Sequence, residues 1–320
     1  MLNITEDEID SISLLNNPLK DPSKRSIIII DHSRNDRSPI LIGLQGFFGT
    51  NRSFMNRYFN KVDFISVLEK IAEKAENDGF IIALPDTMTS LYGNQYINSP
   101  AVGNYEDFIV SDVLEYLFKR YGKRPVGLFG KSSGGFGAYT LAVRHPDKIS
   151  GFVDVAGDSG FEYCYLPDFP AAIKYFRRYG VLEWYTYVKS KMNMSPEDMK
   201  VVNVLAMSAF YSPDQEAEMG IGLPFDTRTG LLKYDVWDKW RRLDPAFNIS
   251  NNIDVLKDMA VFMQVGSRDD FHIDIGMEAM HNFLEKNGIV HFFETYDETH
   301  FDLDYLYLKS LPLLIELISD

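Results

Sequence analysis

The sequence predicts an α/β fold in which a mostly parallel central sheet is flanked by helices and interrupted by a helical insertion. Short apolar runs alternate with segments of helical spacing over most of the chain, and this alternation stops between residues 157 and 250. Alternating strands and helices are typical of βα units and therefore of a parallel sheet. The insertion is rich in aromatic residues and methionine, and its segments have helical patterns.

Each predicted strand is a short apolar run bounded by turn-forming residues. The runs cover residues 27–30, 40–44, 80–84, 126–129, 149–155, 260–265 and 290–295. Apolar positions at helical spacing predict helices over residues 64–74 and 105–121, and a third helix follows a glycine-rich turn and ends near Arg144. We expect residues 1–156 and 251–320 to form the α/β core and residues 157–250 to form a helical cap.

Two features of the cap segment bear on its structure. Ser195 followed by Pro196 predicts a helix start, because serine caps the first turn and proline fits its first position. Four large aromatic side chains indicate either an aromatic cover over an apolar pocket or, as is commoner, a packed core: Trp184, Tyr185, Trp237 and Trp240.

The composition limits the classes of partner. The 320 residues include 32 basic and 46 acidic side chains, which give a net charge of −14, and 45% are hydrophobic. A chain this acidic repels nucleic acid and anionic membrane surfaces, so we expect a small neutral or cationic partner. The acidic start of the sequence lacks a signal-peptide layout, Cys164 is the single cysteine, and no apolar run could span a bilayer. These features predict a cytoplasmic protein without disulfides.

A glycine-rich turn supplies a candidate nucleophile. Gly130-Lys131-Ser132-Ser133-Gly134 fits the pattern G-x-S-x-G between a predicted strand and a predicted helix, which is the context that a nucleophile turn requires. The turn must be sharp enough to expose the serine Oγ, and side chains in place of the two glycines would collide with neighbouring backbone. The glycine spacing excludes a P-loop. Ser132 is therefore the predicted nucleophile.

A nucleophilic serine needs a base, and the base needs a third group to orient it. In this type of fold the chain order is serine, then acid, then histidine. His300 follows the last predicted strand, and Asp269 follows the strand before it, although spacing alone does not separate Asp269 from the adjacent Asp270. The remaining histidines precede the acid or the last strand, or lie at that strand: His32, His145, His272, His281 and His291.

The predicted oxyanion hole needs two backbone N–H donors. One should come from Ser133, the residue after the nucleophile. The other should come from the loop after residues 40–44, where we choose the Phe47 amide because Gly46 lets the backbone turn inward. Acidic clusters at residues 269–274 and 297–304 have no recognised ligand spacing, so we expect no metal and no cofactor.

Several blocks resemble the esterase D and enterochelin-esterase-like branch of the α/β-hydrolases. Residues 130–151 (GKSSGGFGAYTLAVRHPDKISG) resemble its nucleophile block, and residues 98–117 resemble its upstream segment and helix. Residues 157–170 (GDSGFEYCYLPDFP) and 223–245 are similar to a bacterial and archaeal carboxylesterase subgroup. The resemblance implies an α/β-hydrolase fold with Ser132 as nucleophile, Asp269 as acid and His300 as base.

Two departures limit what this resemblance implies. The loop GLQGFFG lacks the histidine often found before the oxyanion glycine, and the cap has no likeness to siderophore-esterase or formylglutathione-hydrolase substrate regions. We therefore expect a serine carboxylesterase that hydrolyses small to medium esters through an acyl-enzyme. An acyltransferase with the same triad and a non-catalytic binding module on the same fold are the alternatives, and the oligomeric state stays open.

Overall fold

The computed structural model describes residues 2–74 and 79–319. Its main sheet has eight strands in the spatial order β1-β2-β4-β3-β5-β6-β7-β8. Their bounds are β1 (Asn3–Asp10), β2 (Lys24–Asp31), β3 (Ile40–Leu44), β4 (Ile81–Pro85), β5 (Val126–Lys131), β6 (Gly151–Val155), β7 (Ala260–Gly266) and β8 (Phe292–Tyr296). The predicted α/β-hydrolase fold with a mostly parallel sheet is confirmed.

Of the eight strands described in this sheet, β2 runs opposite to the other seven. β1 and β2 pair antiparallel, as do β2 and β4, whereas every pairing from β4 to β8 is parallel. The central strands β3, β4 and β6 are buried along their whole length, which explains their continuous apolar runs. In a parallel sheet the carboxyl ends of the strands share one edge, so the loops after β3, β5, β6, β7 and β8 lie close together.

Helices cover both faces of the sheet and fill the interval between β6 and β7. Those of the core are α1 (Phe64–Lys74), α2 (Leu114–Tyr121), α3 (Ser133–Arg144), α11 (Ile273–Lys286) and α12 (Tyr307–Ser319), and α2 continues the helical stretches Tyr105–Asp107 and Phe108–Val113. Those between β6 and β7 are α4 (Phe161–Cys164), α5 (Phe169–Tyr179), α6 (Val181–Ser190), α7 (Pro196–Tyr211), α8 (Tyr234–Arg241), α9 (Pro245–Asn248) and α10 (Ile253–Leu256). Single 3₁₀ turns lie at Asn51–Met55, Leu166–Asp168, Glu218–Gly220, Ile249–Asn252 and Leu303–Leu306, and Asn98–Ser99 pairs with Gly103–Asn104 in a small separate ladder.

Helix α7 begins where its sequence predicts. Ser195 Oγ accepts a hydrogen bond from the Asp198 amide, and the Asp198 carboxylate accepts one from the Ser195 amide, which completes a capping box. Pro196 occupies the first turn. This capping box fixes the start of α7. The first residues of α7 line the cavity described below.

The large aromatic side chains of the interval between β6 and β7 form a packed core. Trp184 and Trp240 are fully buried, and the Trp240 ring lies 5.3 Å from Tyr211 and 5.7 Å from Phe169. The Trp240 Nε1–H donates to Ser212 Oγ at 2.8 Å, which satisfies the indole. Tyr185 and Trp237 are buried as well, and none of these four aromatic residues lines the cavity described below. Core packing therefore explains them, and the alternative of an aromatic cover over the pocket is wrong.

Within the described ranges, no helix combines the length and the apolar character needed to cross a lipid bilayer.

Candidate active site

Ser132 occupies a sharp turn between β5 and α3. Its backbone has φ 58° and ψ −129°, a conformation that costs a residue with a side chain of the order of 1–3 kcal/mol. A Cβ on Gly130 would lie 2.3 Å from the Gly134 backbone, and a Cβ on Gly134 would lie 2.0 Å from the Leu44 carbonyl oxygen. Both glycines of G-x-S-x-G are therefore required sterically, as the sequence predicts.

A buried acid–histidine pair lies beside this turn. His300 Nδ1 is 2.7 Å from Asp269 Oδ2, and both side chains are almost completely shielded from solvent. Asp269 Oδ1 accepts hydrogen bonds from the amides of Phe271 at 2.9 Å and Ile273 at 3.4 Å. These three contacts hold Asp269 in one orientation, so it fixes the imidazole ring.

Three further contacts hold the His300 region. Asp270 Oδ2 accepts from the His300 backbone amide at 3.2 Å, so it contacts the main chain and not the ring. The Phe271 ring meets the imidazole edge to face at a centroid distance of 4.7 Å. Lys131 Nζ donates to the His300 carbonyl oxygen at 3.1 Å, and burial lowers the pKa of this lysine.

Ser132 and His300 line the same cavity, which has a volume of about 290 Å³. Ser132 Oγ contacts Asp158 Oδ1 at 3.5 Å. Among the described residues, Ser132 Oγ forms no hydrogen bond to the His300 imidazole. Apolar side chains dominate the wall of the cavity, among them Phe47, Phe48, Tyr165, Met199, Phe271, Ile273 and Phe301.

The loop after β3 meets the nucleophile turn. A Cβ on Gly46 would lie 3.1 Å from the Lys131 carbonyl oxygen and 3.5 Å from Ser132 Cβ, so the loop backbone passes directly against Ser132. The Phe48 amide donates to the Tyr92 carbonyl oxygen at 2.9 Å and is thus already used. Ser133 is the first residue of α3, where backbone N–H groups have no partner within the helix. Phe47 and Ser133 both line the cavity.

Asp158 is a site residue that the sequence reasoning missed. Its side chain is buried, and its Oδ2 accepts from Tyr165 OH at 2.7 Å, Ser133 Oγ at 3.2 Å and Gln95 Nε2 at 3.3 Å. Burial raises the pKa of this carboxyl, while the hydrogen bond from Tyr165 opposes that effect. Asp158 follows β6, and a polar residue just after a central parallel strand is a signal that could have indicated it.

The competing histidines lie elsewhere. His281 Nδ1 and His291 Nε2 are 2.8 Å apart and form a pair of their own, and His145 Nε2 contacts Glu106 Oε1 at 2.8 Å. His32 packs against Phe80 with ring centroids 5.4 Å apart, and His272 precedes α11. Among residues 2–74 and 79–319, no group of three or more His, Cys, Asp or Glu side chains is arranged to hold a metal ion.

Comparison with known proteins places this chain in a family. The family model Esterase matches residues 22–302, which is most of the chain. The curated proteins contain no significant match.

Solved structures share the fold at low sequence identity. A ferulic acid esterase superposes with a TM-score of 0.62 at 18% identity over 99% of each chain. An S-formylglutathione hydrolase from Agrobacterium tumefaciens has a TM-score of 0.59 at 12% identity, covering 99% of this chain and 98% of its own. A ferulic acid esterase from Anaeromyces mucronatus has a TM-score of 0.55 at 12% identity, covering 99% of this chain and 91% of its own. With the family match over most of its length, the chain belongs to the Esterase family and has the α/β-hydrolase fold.

Proposed function

We propose that Ser132, His300 and Asp269 are the catalytic triad of this carboxylesterase. The observation that carries the assignment is the buried 2.7 Å contact between His300 Nδ1 and Asp269 Oδ2, in a cavity that Ser132 also lines. Asp269 keeps the proton of the imidazole on Nδ1, which leaves Nε2 free to act as the base.

The reaction proceeds through an acyl-enzyme. Ser132 Oγ turns from Asp158 toward His300, gives its proton to Nε2 and bonds to the carbonyl carbon of the ester. The imidazolium then protonates the leaving alcohol as the carbon–oxygen bond breaks. Water repeats the sequence: His300 takes its proton, the acid is released, and Ser132 recovers its hydrogen. No cofactor enters these steps.

The backbone amides of Phe47 and Ser133 are the proposed oxyanion donors. Ser133 opens α3, so the positive end of the helix dipole also faces the developing charge. The Phe48 amide is bonded to Tyr92, which leaves Phe47 as the preferred donor from the loop after β3. Gly46 permits the close approach of this loop because it has no Cβ to meet Lys131.

Residues 157–250 act as the proposed cap of the substrate cavity. Tyr165, Met199 and Asn203, all in this segment, line it together with core residues, which are Phe271, Ile273 and His300. A volume of about 290 Å³ lies at the small end of ligand pockets, so the substrates are small to medium esters. The net charge of −14 and the single cysteine support a cytoplasmic enzyme for small molecules and against nucleic acid as a partner.

Covalent labelling and turnover test this assignment together. A fluorophosphonate probe should label wild type at Ser132, identified by mass spectrometry of the labelled peptide, and should not label Ser132→Ala. A series of p-nitrophenyl esters should show activity that falls once the acyl chain outgrows the cavity. Labelling at another serine would contradict the proposed nucleophile, and acyl transfer to added alcohol in preference to water would make the chain a transferase.

A further inference from the structure

Asp158 is held rigidly beside Ser132, and the esterase steps above do not use it. The residue is 6% exposed. Its Oδ2 is surrounded by three donors, from Tyr165, Ser133 and Gln95. These bonds fix the plane of the carboxyl group and direct the other oxygen, Oδ1, toward the nucleophile.

Oδ1 of Asp158 has little to compensate its charge. Its polar contact is Ser132 Oγ at 3.5 Å, which is long for a hydrogen bond. The one cation that acts on it among the described residues is the charged form of His300, which lowers the pKa of Asp158. No described lysine or arginine pairs with Asp158, and Lys200, which also lines the cavity, lies 3.4 Å from Asp168 instead. A buried carboxylate without a cation is costly, and a cation brought by a ligand would offset that cost.

The position of this carboxylate also bears on the reaction itself. Acyl transfer develops negative charge on the carbonyl oxygen of the substrate. A carboxylate beside Ser132 repels that charge when the ester is neutral, and its Oδ1 competes with His300 for the Ser132 hydroxyl proton. A cationic group of the substrate, bound to Oδ1, would cancel the repulsion and release the hydroxyl toward the base.

We propose that Asp158 Oδ1 is an ammonium subsite and that this esterase prefers esters of α-amino acids. The proposal rests on Ser132 being the nucleophile. The amine nitrogen of such an ester lies about 2.5 Å from the carbonyl carbon that Ser132 Oγ attacks. Oδ1 is 3.5 Å from Oγ while the hydroxyl faces Asp158, and the turn toward His300 moves Oγ alone. An ammonium bound to Oδ1 therefore stays beside the nucleophile, in a charge-assisted hydrogen bond, as Oγ attacks the carbonyl carbon.

A matched pair of substrates tests this subsite. The ethyl esters of L-alanine and isobutyric acid differ in one group, an ammonium in place of a methyl, when assayed at about pH 6, where the amine is protonated. The ammonium also makes the ester intrinsically more reactive. For each protein, kcat/KM for the alanine ester is therefore divided by kcat/KM for the isobutyrate ester. The decisive quantity is this ratio in wild type divided by the same ratio in Asp158→Asn.

We expect this quotient to be about tenfold or more, the usual effect of removing a hydrogen bond to a charged group. The matched control is Asp168→Asn, which removes the other carboxylate of the cavity and should keep the wild-type ratio. A quotient near one overturns the proposal, including the case in which Asp158→Asn slows both esters equally. Turnover of both esters by Ser132→Ala would instead contradict the nucleophile.

A second measurement uses wild type alone and so does not depend on the folding of a variant. 1-Aminoethylboronic acid and isopropylboronic acid form reversible serine adducts that carry the same two groups beside the boron. The amino compound should inhibit at a concentration at least about tenfold lower than that of isopropylboronic acid. Equal inhibition, or tighter inhibition by isopropylboronic acid, overturns the ammonium subsite while leaving Ser132 as the nucleophile.

Discussion

Asp269 Oδ2 lies 2.7 Å from His300 Nδ1, whereas the adjacent Asp270 reaches the backbone amide of the same histidine at 3.2 Å. The two carboxylates thus contact one residue through different groups. Asp269 orients the ring, and Asp270 holds the main chain of the loop that follows β8. Sequence spacing alone does not distinguish these two neighbours. Their contacts predict losses of activity of very different size when each is mutated.

We expect Asp269→Asn to lower kcat by about 10³–10⁴-fold, because an amide can favour the wrong imidazole tautomer. Asp270→Asn keeps an oxygen that can accept from the His300 amide and should cost less than about tenfold. Steady-state kinetics with one p-nitrophenyl ester measures both. Equal losses in the two variants would contradict the different roles assigned to these carboxylates.

Replacing the proposed nucleophile should give the largest loss. Ser132→Ala should reduce turnover by about 10⁴-fold or more and leave thermal unfolding close to that of wild type. Ser133→Ala serves as the neighbouring control: it removes the hydroxyl that donates to Asp158 but keeps the backbone N–H proposed for the oxyanion. Its loss should be far smaller. Near-normal turnover by the Ser132 variant would refute the mechanism.

The loop after β3 can be tested through Gly46. Its φ is not in the left-handed region, so alanine fits the backbone, but the new Cβ would lie 3.1 Å from the Lys131 carbonyl oxygen. The loop must therefore move a few tenths of an ångström away from Ser132. We expect Gly46→Ala to lower kcat at least about tenfold through the displaced Phe47 amide, and to destabilise the fold by no more than about 1–3 kcal/mol. Unchanged kcat would exclude this loop as an oxyanion donor.

Asp154 on β6 should make stability depend on pH. The side chain is completely buried, its Oδ1 has no partner among the described residues, and burial raises its pKa from 3.8 to about 7. The folded pKa exceeds the unfolded one, so on raising the pH the unfolded chain loses this proton first. The stability of the fold is therefore fully present below about pH 4 and is partly lost as the pH rises toward 7.

Asp154→Asn imitates the protonated carboxyl and should remove that dependence. The free energy of unfolding of wild type, relative to the variant, should fall between pH 4 and 7 by at most about 1.4 kcal/mol per pH unit and then level off. Urea denaturation across this range measures the difference. A difference that is constant with pH would show that Asp154 does not titrate on unfolding in this range.

The parts of the fold that depend on local pattern could be predicted from the sequence. The strands from β2 to β7 contain apolar runs because they lie inside a sheet that is covered on both faces. The nucleophile turn has glycines where backbone contacts exclude a Cβ. β1 was not predicted, since its residues are mostly exposed and Ile9 is its one buried side chain. An edge strand paired on one side has little hydrophobic pattern to reveal it.

Asp158 escaped prediction for a different reason. A carboxylate in a glycine-rich loop after a strand is usually solvated. The place of Asp158 after a central strand points to the site edge of the sheet, but nothing local shows that the side chain is buried. Its burial arises from Gln95, Ser133 and Tyr165, which come from three separate parts of the chain. Such long-range neighbours are set by the tertiary fold, as is the packing of Trp184 and Trp240 into a core.

The acidic edge strand β1 has a consequence for colloidal behaviour. Its outer side has no neighbouring strand among the described residues, so a strand of another molecule could add there. Glu6, Asp7, Glu8 and Asp10 line this short segment, and cations pair with three of them: Arg52 with Glu6, Arg120 with Asp7 and Lys24 with Glu8. Two such edges would meet with dense, strongly hydrated charged side chains, which discourages sheet extension between molecules.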